Sequence, residues 1–508
     1  MTETVTRPAE PEGSAGPIPD HLKPGDFNDP YSDRLTEFMT SGWGTQEQVP
    51  LPPAPSGGVL AARRDRLRAR LPEPLPVVVP AGQAPRRNDD QFYPFRPGSD
   101  YVWLTGDQTP GGVLLLDPGS AAGDMLFLLP PSGRDDGEFY RDSKAGELWV
   151  GGRPSLEARA AALGITCKPL AELPAALAGA GRALVARGFD AEAEQRVTAA
   201  APQLDAELTA VLSELRLVKD EWEIGQLRGA VDASVSGFCD VAALLRGAIG
   251  PGGGVWGGRP PEGSTAGLTE RHVEGAFGTR ARLAGNGNGY HSIAASGPHA
   301  TILHWNRNDG PLRDGDLLLL DAGVELSSLY TADVTRTFPV SGRFSPLQRQ
   351  VYEIVLAAQE AGLAKLRPGA DFKVFYPACA RVLAEGLEAL GVLPVSAAES
   401  LQPDCGLHRR WTLCAPGHML GLDVHDCSKA RESKYLGGPL AAGQVLTVEP
   451  GLYFQANDEL IPPELRGIGV RIEDDVLITA DGYELLSGSL PRDPDQIEAW
   501  CAAAGRIG

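Results

Sequence analysis

Apolar residues follow two rhythms along the C-terminal half of this chain. From Asp220 onward, Ile224, Leu227, Val231, Val235, Phe238 and Leu245 recur at the spacing of one helix face. Asp220, with Glu223 three residues on, forms the capping box that opens such a helix. Ser345-Pro346 supplies the N-cap and first turn of a second helix, which ends by Pro368-Gly369, and a third covers roughly 371–391. Between the helices lie apolar runs of strand length. GDLLLLDAG (315–323) and GQVLTVEPG (443–451) share the frame G-x-x-L-x-x-[DE]-x-G, and each is followed by a second strand, TADVTRTF and GVRIEDDV. Helices and hairpins alternate, and the hairpins occur twice. The pattern predicts an α+β domain of two similar halves related by internal pseudo-two-fold symmetry.

The N-terminal half reads as a smaller α/β domain. YVWLTG, GVLLLD and MLFLLP are short apolar runs bounded by Gly, Pro and Asp, which predicts strands, and RPSLEARAAALG (153–164) predicts a helix with a glycine stop. The Arg-rich stretch AARRDRLRARLP lies between Pro-rich segments and predicts a short surface helix with a solvated face. Residues 1 to about 30, rich in Pro, Glu, Gly and Asp, predict a disordered or loosely docked arm. Residues 250–267 predict a flexible insertion, and GNGNGY (285–290) a plain turn, because no convincing helix follows it as a nucleotide loop would require. The expected divisions are an arm at 1–50, an α/β domain at 51–212 and a catalytic domain at 213–495.

Composition narrows the function. At 508 residues the chain is too long for one ordinary core. A net charge of −20 argues against binding nucleic acid through its phosphates, and equally against docking on anionic lipid. No run of about 18 apolar residues predicts a membrane span, and the N-terminus lacks a basic-then-apolar signal pattern, so a cytoplasmic location is expected. The seven cysteines are scattered, odd in number and without CxxC pairs, which suits reduced thiols.

The hairpins carry the chemistry. Asp321 and Glu449 occupy the same position in the shared frame, and the partner strands bring Asp333 and Glu473. A carboxylate on a strand that otherwise looks buried is unfavourable unless paired. Four together repel, and a pair of divalent cations would balance them. With His418 they make a set of hard oxygen donors and one nitrogen, suited to Mn²⁺, Co²⁺, Fe²⁺ or Zn²⁺, and carboxylates can bridge two ions about 3.5–4 Å apart. Taken singly, each residue has a plainer explanation: an Asp at a strand end forms turns, a His in a Gly-rich segment bonds within its loop, and Glu473-Asp474-Asp475 could be a solvated edge. Their recurrence in two parallel frames weakens those explanations jointly.

ILHW (302–305), DAG…ADVTRTFPVSG (321–342), GHMLGLDVHD (417–426), TVEPGLY (447–453) and GVRIEDDVLIT (469–479) resemble the successive motifs of the M24 "pita-bread" metallopeptidases, nearest to aminopeptidase P, the Xaa-Pro aminopeptidases. FRPGSDYVWLTG (95–106) is similar to that family's N-terminal domain. The resemblance implies that Asp321 holds one metal, that Asp333 and Glu473 bridge both, and that His418 and Glu449 hold the other, with manganese the foremost candidate. It implies that Glu449 lies beside a metal-bridging hydroxide as general base and proton shuttle. It also implies that His304 and His425 flank the substrate, a peptide with proline second. Arg471, two residues before Glu473, projects to the same face of its strand and would orient carboxylates. Cys414 stands where a substrate-holding histidine is common in the family, and reads as a small buried residue. The family also implies a homodimer or homotetramer. A prolidase, confined to Xaa-Pro dipeptides, is the nearest alternative. A non-catalytic peptide-binding pita-bread module is the alternative of another class, opposed by five competent donors. Methionine aminopeptidases lack the large N-terminal domain, and a creatinase-like metal-free hydrolase does not need this acid set.

Overall fold

The computed structural model describes residues 32–44, 49–89, 91–121, 123–134, 137–199, 201–247, 267–413 and 415–503. Residues 1–31, nearly all of the 250–267 insertion and Cys414 lie outside the described residues.

In the N-terminal half, β1 (Val77–Pro80), β2 (Val113–Leu116), β3 (Met125–Leu128), β4 (Thr166–Pro169), β5 (Arg182–Val185) and β6 (Thr198–Ala199) form one mixed sheet in the order β4-β3-β2-β1-β5-β6. Side chains alternate between its faces. Val77, Val79, Leu114, Leu116, Leu126 and Leu128 enter one core, while Val78, Val113, Leu115, Met125 and Phe127 enter another. Burial on both faces explains why these strands are continuously apolar in sequence. The first core does not stop at the domain edge: it takes in Leu329, Tyr330, Leu420, Leu422 and Leu477 of the C-terminal half.

Two sequence expectations fail here. YVWLTG is not a strand. It belongs to helix α2 (Ser99–Thr105), which follows α1 (Gly57–Arg68) and is closed by Gly106 at φ 70°. All seven residues of α2 are buried, so no polar face marks its helical period. Nor is the Arg-rich helix α1 solvated. Arg63 and Arg64 are 2% and 3% exposed. Arg63 pairs with Asp220 at 2.6 Å and donates to the Trp103 carbonyl, and Arg64 pairs with Asp124 at 3.1 Å and donates to the Leu104 carbonyl.

Helix α3 (Pro202–Arg216) runs through the expected 212/213 division, so that boundary falls inside a helix. After a short link, α4 (Glu221–Leu245) opens on the Asp220–Glu223 capping box, and α5 (Glu270–Ala284) packs along it. Helices α6 (Pro346–Leu363) and α7 (Phe375–Ala389) form the equivalent pair of the second half, and Ser345 caps α6. The hairpins also repeat. Strand β7 (Ile293–Ser296) pairs with β8 (Leu317–Ala322), which pairs antiparallel with β9 (Val334–Pro339); β10 (Val445–Val448) pairs antiparallel with β11 (Asp474–Ile478), and β11 with β12 (Tyr483–Leu485). Asp321 lies on β8, Asp333 just before β9, Glu449 just after β10 and Glu473 just before β11. A bridge between Thr335 and Glu473 joins the two sheets where the acids meet. Among the described residues, no helix is long and apolar enough to cross a membrane.

Candidate metal centre

The seven residues assigned metal or catalytic roles in the sequence line one cavity of about 250 Å³: Asp321, Asp333, His418, Glu449, Glu473, His304 and His425. Asp333, His418 and Glu473 converge most tightly, each offering an atom within 4.8 Å of the others. Nε2 of His418 lies 3.3 Å from Asp333 Oδ2 and 3.4 Å from Glu449 Oε1. Its Nδ1 faces the Met419 carbonyl at 3.1 Å. A carbonyl can only accept, so Nδ1 carries a proton, and Nε2 is the nitrogen turned to the carboxylates.

Asp321 sits apart from the tight trio, accepting from Tyr290 Oη at 2.7 Å and Arg471 Nη2 at 2.5 Å. Thr335 Oγ1 donates to Glu473 at 2.6 Å, and Thr447 Oγ1 to Glu449 at 3.3 Å. Arg471 also donates to Thr335 Oγ1 at 3.2 Å, so it orients carboxylates as its strand position predicts. The Asp333 backbone N–H is held by Asp475 Oδ2 at 3.0 Å. The two threonines were within reach of sequence reasoning, because each lies two residues from an acid on an extended strand and shares its face. Tyr290, at the end of GNGNGY, carried no such signal; the segment there forms a two-residue strand, Gly287–Asn288, rather than only a turn.

The electrostatics favour a cation. Burial, then the charge of Asp333 and its neighbours, pushes the Glu473 carboxyl well above its usual range. Burial likewise raises Asp321 against the pull of Arg471, and raises Glu449 to about 7 against the pull of His418. Burial depresses the His418 imidazole, but the Asp333 hydrogen bond and the Glu449 charge outweigh it and lift the ring to about 9. Of the basic groups lining the cavity, only Arg471 and His418 make ion-pair contacts with the four acids, so the acids are short of positive charge. Oxygen donors with one imidazole nitrogen fit a divalent ion of the manganese-to-zinc series.

His425 stands against His418, ring centroids 4.1 Å apart, and burial followed by the His418 charge lowers its pKa. His304 also lines the cavity and is followed in the chain by Trp305, whose Nε1 donates to Glu270 at 2.8 Å. Glu270 is fully buried and also accepts from Ser296 N–H, His299 and Gly310 N–H, which pins the loop that carries His304.

Residues 225–480 match the pattern of Metallopeptidase family M24, and residues 60–184 that of the aminopeptidase P N-terminal domain. The chain belongs to metallopeptidase family M24. Within it, Xaa-Pro aminopeptidase 1 of Streptomyces coelicolor is 49% identical over 507 residues, covering 99% of this chain and 98% of that protein. The Xaa-Pro aminopeptidase of Escherichia coli is 32% identical, covering 87% and 97%. The solved structure of aminopeptidase P from E. coli with the inhibitor Pro-Leu superposes with a TM-score of 0.75 at 30% identity, covering 89% of this chain and 99% of that one. The fold is therefore an aminopeptidase P N-terminal domain followed by the M24 pita-bread domain, and the chain is a hydrolase that works with divalent metal. Similarity along nearly the whole chain to Xaa-Pro aminopeptidases disfavours the non-catalytic binding module, and these relatives do not favour a prolidase.

Proposed function

We propose that this M24 enzyme is a dimetal aminopeptidase that removes the N-terminal residue from peptides with proline at the second position. The convergence of three buried carboxylates, the half-buried Glu449 and His418 Nε2 on one cavity carries the reading. Asp321, Asp333, His418, Glu449 and Glu473 would hold two divalent ions, with Mn²⁺ first among the candidates. When bound, the ions supply Lewis acidity, polarising the scissile carbonyl and lowering the pKa of a water.

The side chains do the rest. A prolyl bond is a tertiary amide with no N–H and a fixed φ, so the enzyme needs a group that protonates the leaving nitrogen. Glu449 takes the proton of the attacking water on a carboxylate oxygen and hands it to the prolyl nitrogen. His304 and His425, both lining the cavity, turn their imidazoles to the carbonyl oxygen and steady its developing charge. Arg471 and Tyr290 fix Asp321 through the two hydrogen bonds given above.

We also propose a cytoplasmic homo-oligomer, dimer or tetramer, which light scattering on the purified protein tests. The activity test is hydrolysis of an Xaa-Pro-Xaa tripeptide with added Mn²⁺ before and after chelation, beside the matching Xaa-Pro dipeptide. Tripeptide cleavage lost on chelation and restored by Mn²⁺ is expected. Chelation-insensitive cleavage would refute the metal mechanism, and exclusive cleavage of the dipeptide would refute the aminopeptidase assignment.

A further inference from the structure

The loop that carries His425 is gripped from behind by the N-terminal half. Val424 and His425 line the metal cavity, and the residues on either side of them, Asp423 and Asp426, do not, meeting Arg216 instead. A single guanidinium nitrogen, Nη2 of Arg216 at the end of α3, donates to both: to Asp423 Oδ2 at 2.8 Å and to Asp426 Oδ1 in a shorter contact. Its other terminal nitrogen donates to Asp100 of α2 at 2.6 Å. Lys219 Nζ reaches Asp426 Oδ2 at 3.0 Å, and Ser99 Oγ donates to Asp423 Oδ1 at 2.6 Å. Arg96 donates to the Leu422 carbonyl.

This clamp acts on a backbone that needs holding. Cys427, directly after Asp426, is a non-glycine residue at φ 59°, a conformation that side chains disfavour. Asp426 N–H returns to the Met419 carbonyl at 2.9 Å, closing the loop from His418 to His425. No hydrogen bond holds the His425 ring itself among the described residues, and the residue is exposed and lines the cavity. Its aim at the cavity is therefore set by its own backbone and by the neighbouring His418 ring.

We propose that Arg216 is a positioning residue for His425, so that the N-terminal half sets the aim of a substrate-facing imidazole across the domain seam. The proposal rests on the reading of His425 as a group that touches substrate. Arg216 Nη2 bridges the two carboxylates that bracket Val424 and His425, and a shift of that bracket swings both cavity-facing side chains together. Misplacement by about 1 Å costs on the order of a hundredfold in rate.

The test is a double-mutant cycle on the full-length, Mn²⁺-loaded enzyme with an Xaa-Pro-Xaa tripeptide. Arg216→Met and Asp423→Ala are each measured alone and in a His425→Ala background. Each single change is expected to lower kcat about ten- to a hundredfold, with manganese content unchanged and KM altered by less than about threefold. In the His425→Ala background the same changes are expected to add less than about twofold, because residues that act as a unit are not additive. If Arg216→Met does not fold, Asp423→Ala carries the cycle, since Asp423 lies in a surface-reaching loop with its side chain 40% exposed. Losses that persist undiminished in the His425→Ala background, or no loss in the single variants, overturn the proposal alone. A His425→Ala enzyme as active as the parent overturns the underlying reading and the proposal with it.

Discussion

Two buried groups of charge lie on opposite sides of the 418–427 loop, and they are built on opposite terms. At the domain seam, Arg216 and Lys219 meet Asp100, Asp423 and Asp426. In the cavity, Asp321, Asp333, Glu449 and Glu473 share Arg471 and His418. Burial disfavours charge in both places. At the seam the protein supplies the answer: burial raises Asp426, but Arg216 and Lys219 hold its carboxyl well below the ordinary value. Asp100 is the partial exception, since burial raises it despite Arg216. In the cavity no such answer is built in, and Glu473, Asp321 and Glu449 are all pushed up. The seam is charge that the fold completes by itself. The cavity is charge left for divalent metal to complete.

Glu473→Gln puts that difference under the greatest strain. In the metal-loaded enzyme it removes a donor proposed to lie between the two halves, and losing several kcal/mol of transition-state stabilisation means a fall in kcat of about a thousandfold or more. In the chelated protein the same change removes one of four mutually repelling carboxylates. Stability there is expected to rise, because the amide is neutral in the folded and the unfolded chain alike and escapes the penalty that burial places on the carboxylate. Tripeptide kinetics read the first effect, and thermal unfolding under chelation reads the second. A chelated variant no more stable than its parent would remove the claim that the cavity lacks positive charge.

Asp426→Asn is expected to act with the opposite sign. It strands Lys219 in the interior and leaves Arg216 with Asp100 and Asp423 alone, and removing one partner of a buried pair costs about 3–5 kcal/mol. The pH dependence follows from the direction of the Asp426 shift. A carboxyl held below its ordinary value of 3.8 stabilises the fold at pH above that value and loses the contribution as pH falls through its depressed folded value. The gap in urea midpoint between parent and variant should therefore be full at neutral pH and close as acid is added below 3.8. A gap that widens on acidification would mean that Asp426 is not ionised in the fold.

The same contrast explains what the sequence made legible. The cavity acids announce themselves because each interrupts or ends a strand in a repeated frame, a local signal that Asp321 and Glu449 carry within nine residues. Helices α4, α6 and α7 were legible because each has a buried and a wet face. The seam was not, because its partners are far apart in the chain: Arg63 meets Asp220, and Arg216 meets Asp100 and Asp426. From local charge alone, α1 resembles any solvated helix. Helix α2 was lost for the converse reason, since burial on every side erases the period that separates helix from strand. Tyr290 reaches Asp321 from a glycine-rich segment whose composition speaks only of turns.

The smallest effect is expected where charge is neither buried nor left uncompensated. Arg228 on α4 and Glu484 on β12 form a two-point ion pair with side chains 44% and 42% exposed. Glu484 is held below its usual value first by the hydrogen bond from Arg228. Water already solvates both groups and screens their attraction, so Arg228→Ala should change the unfolding free energy by no more than about 1 kcal/mol. The pair ties the first helix of one half to the last strand of the other, as the seam ties the N-terminal half to the histidine loop, yet it does so in solvent. If Arg228→Ala proved as damaging as Asp426→Asn by urea unfolding, the number of contacts crossing between units would outweigh burial. The distinction between a completed and an uncompleted buried cluster would then lose its physical basis.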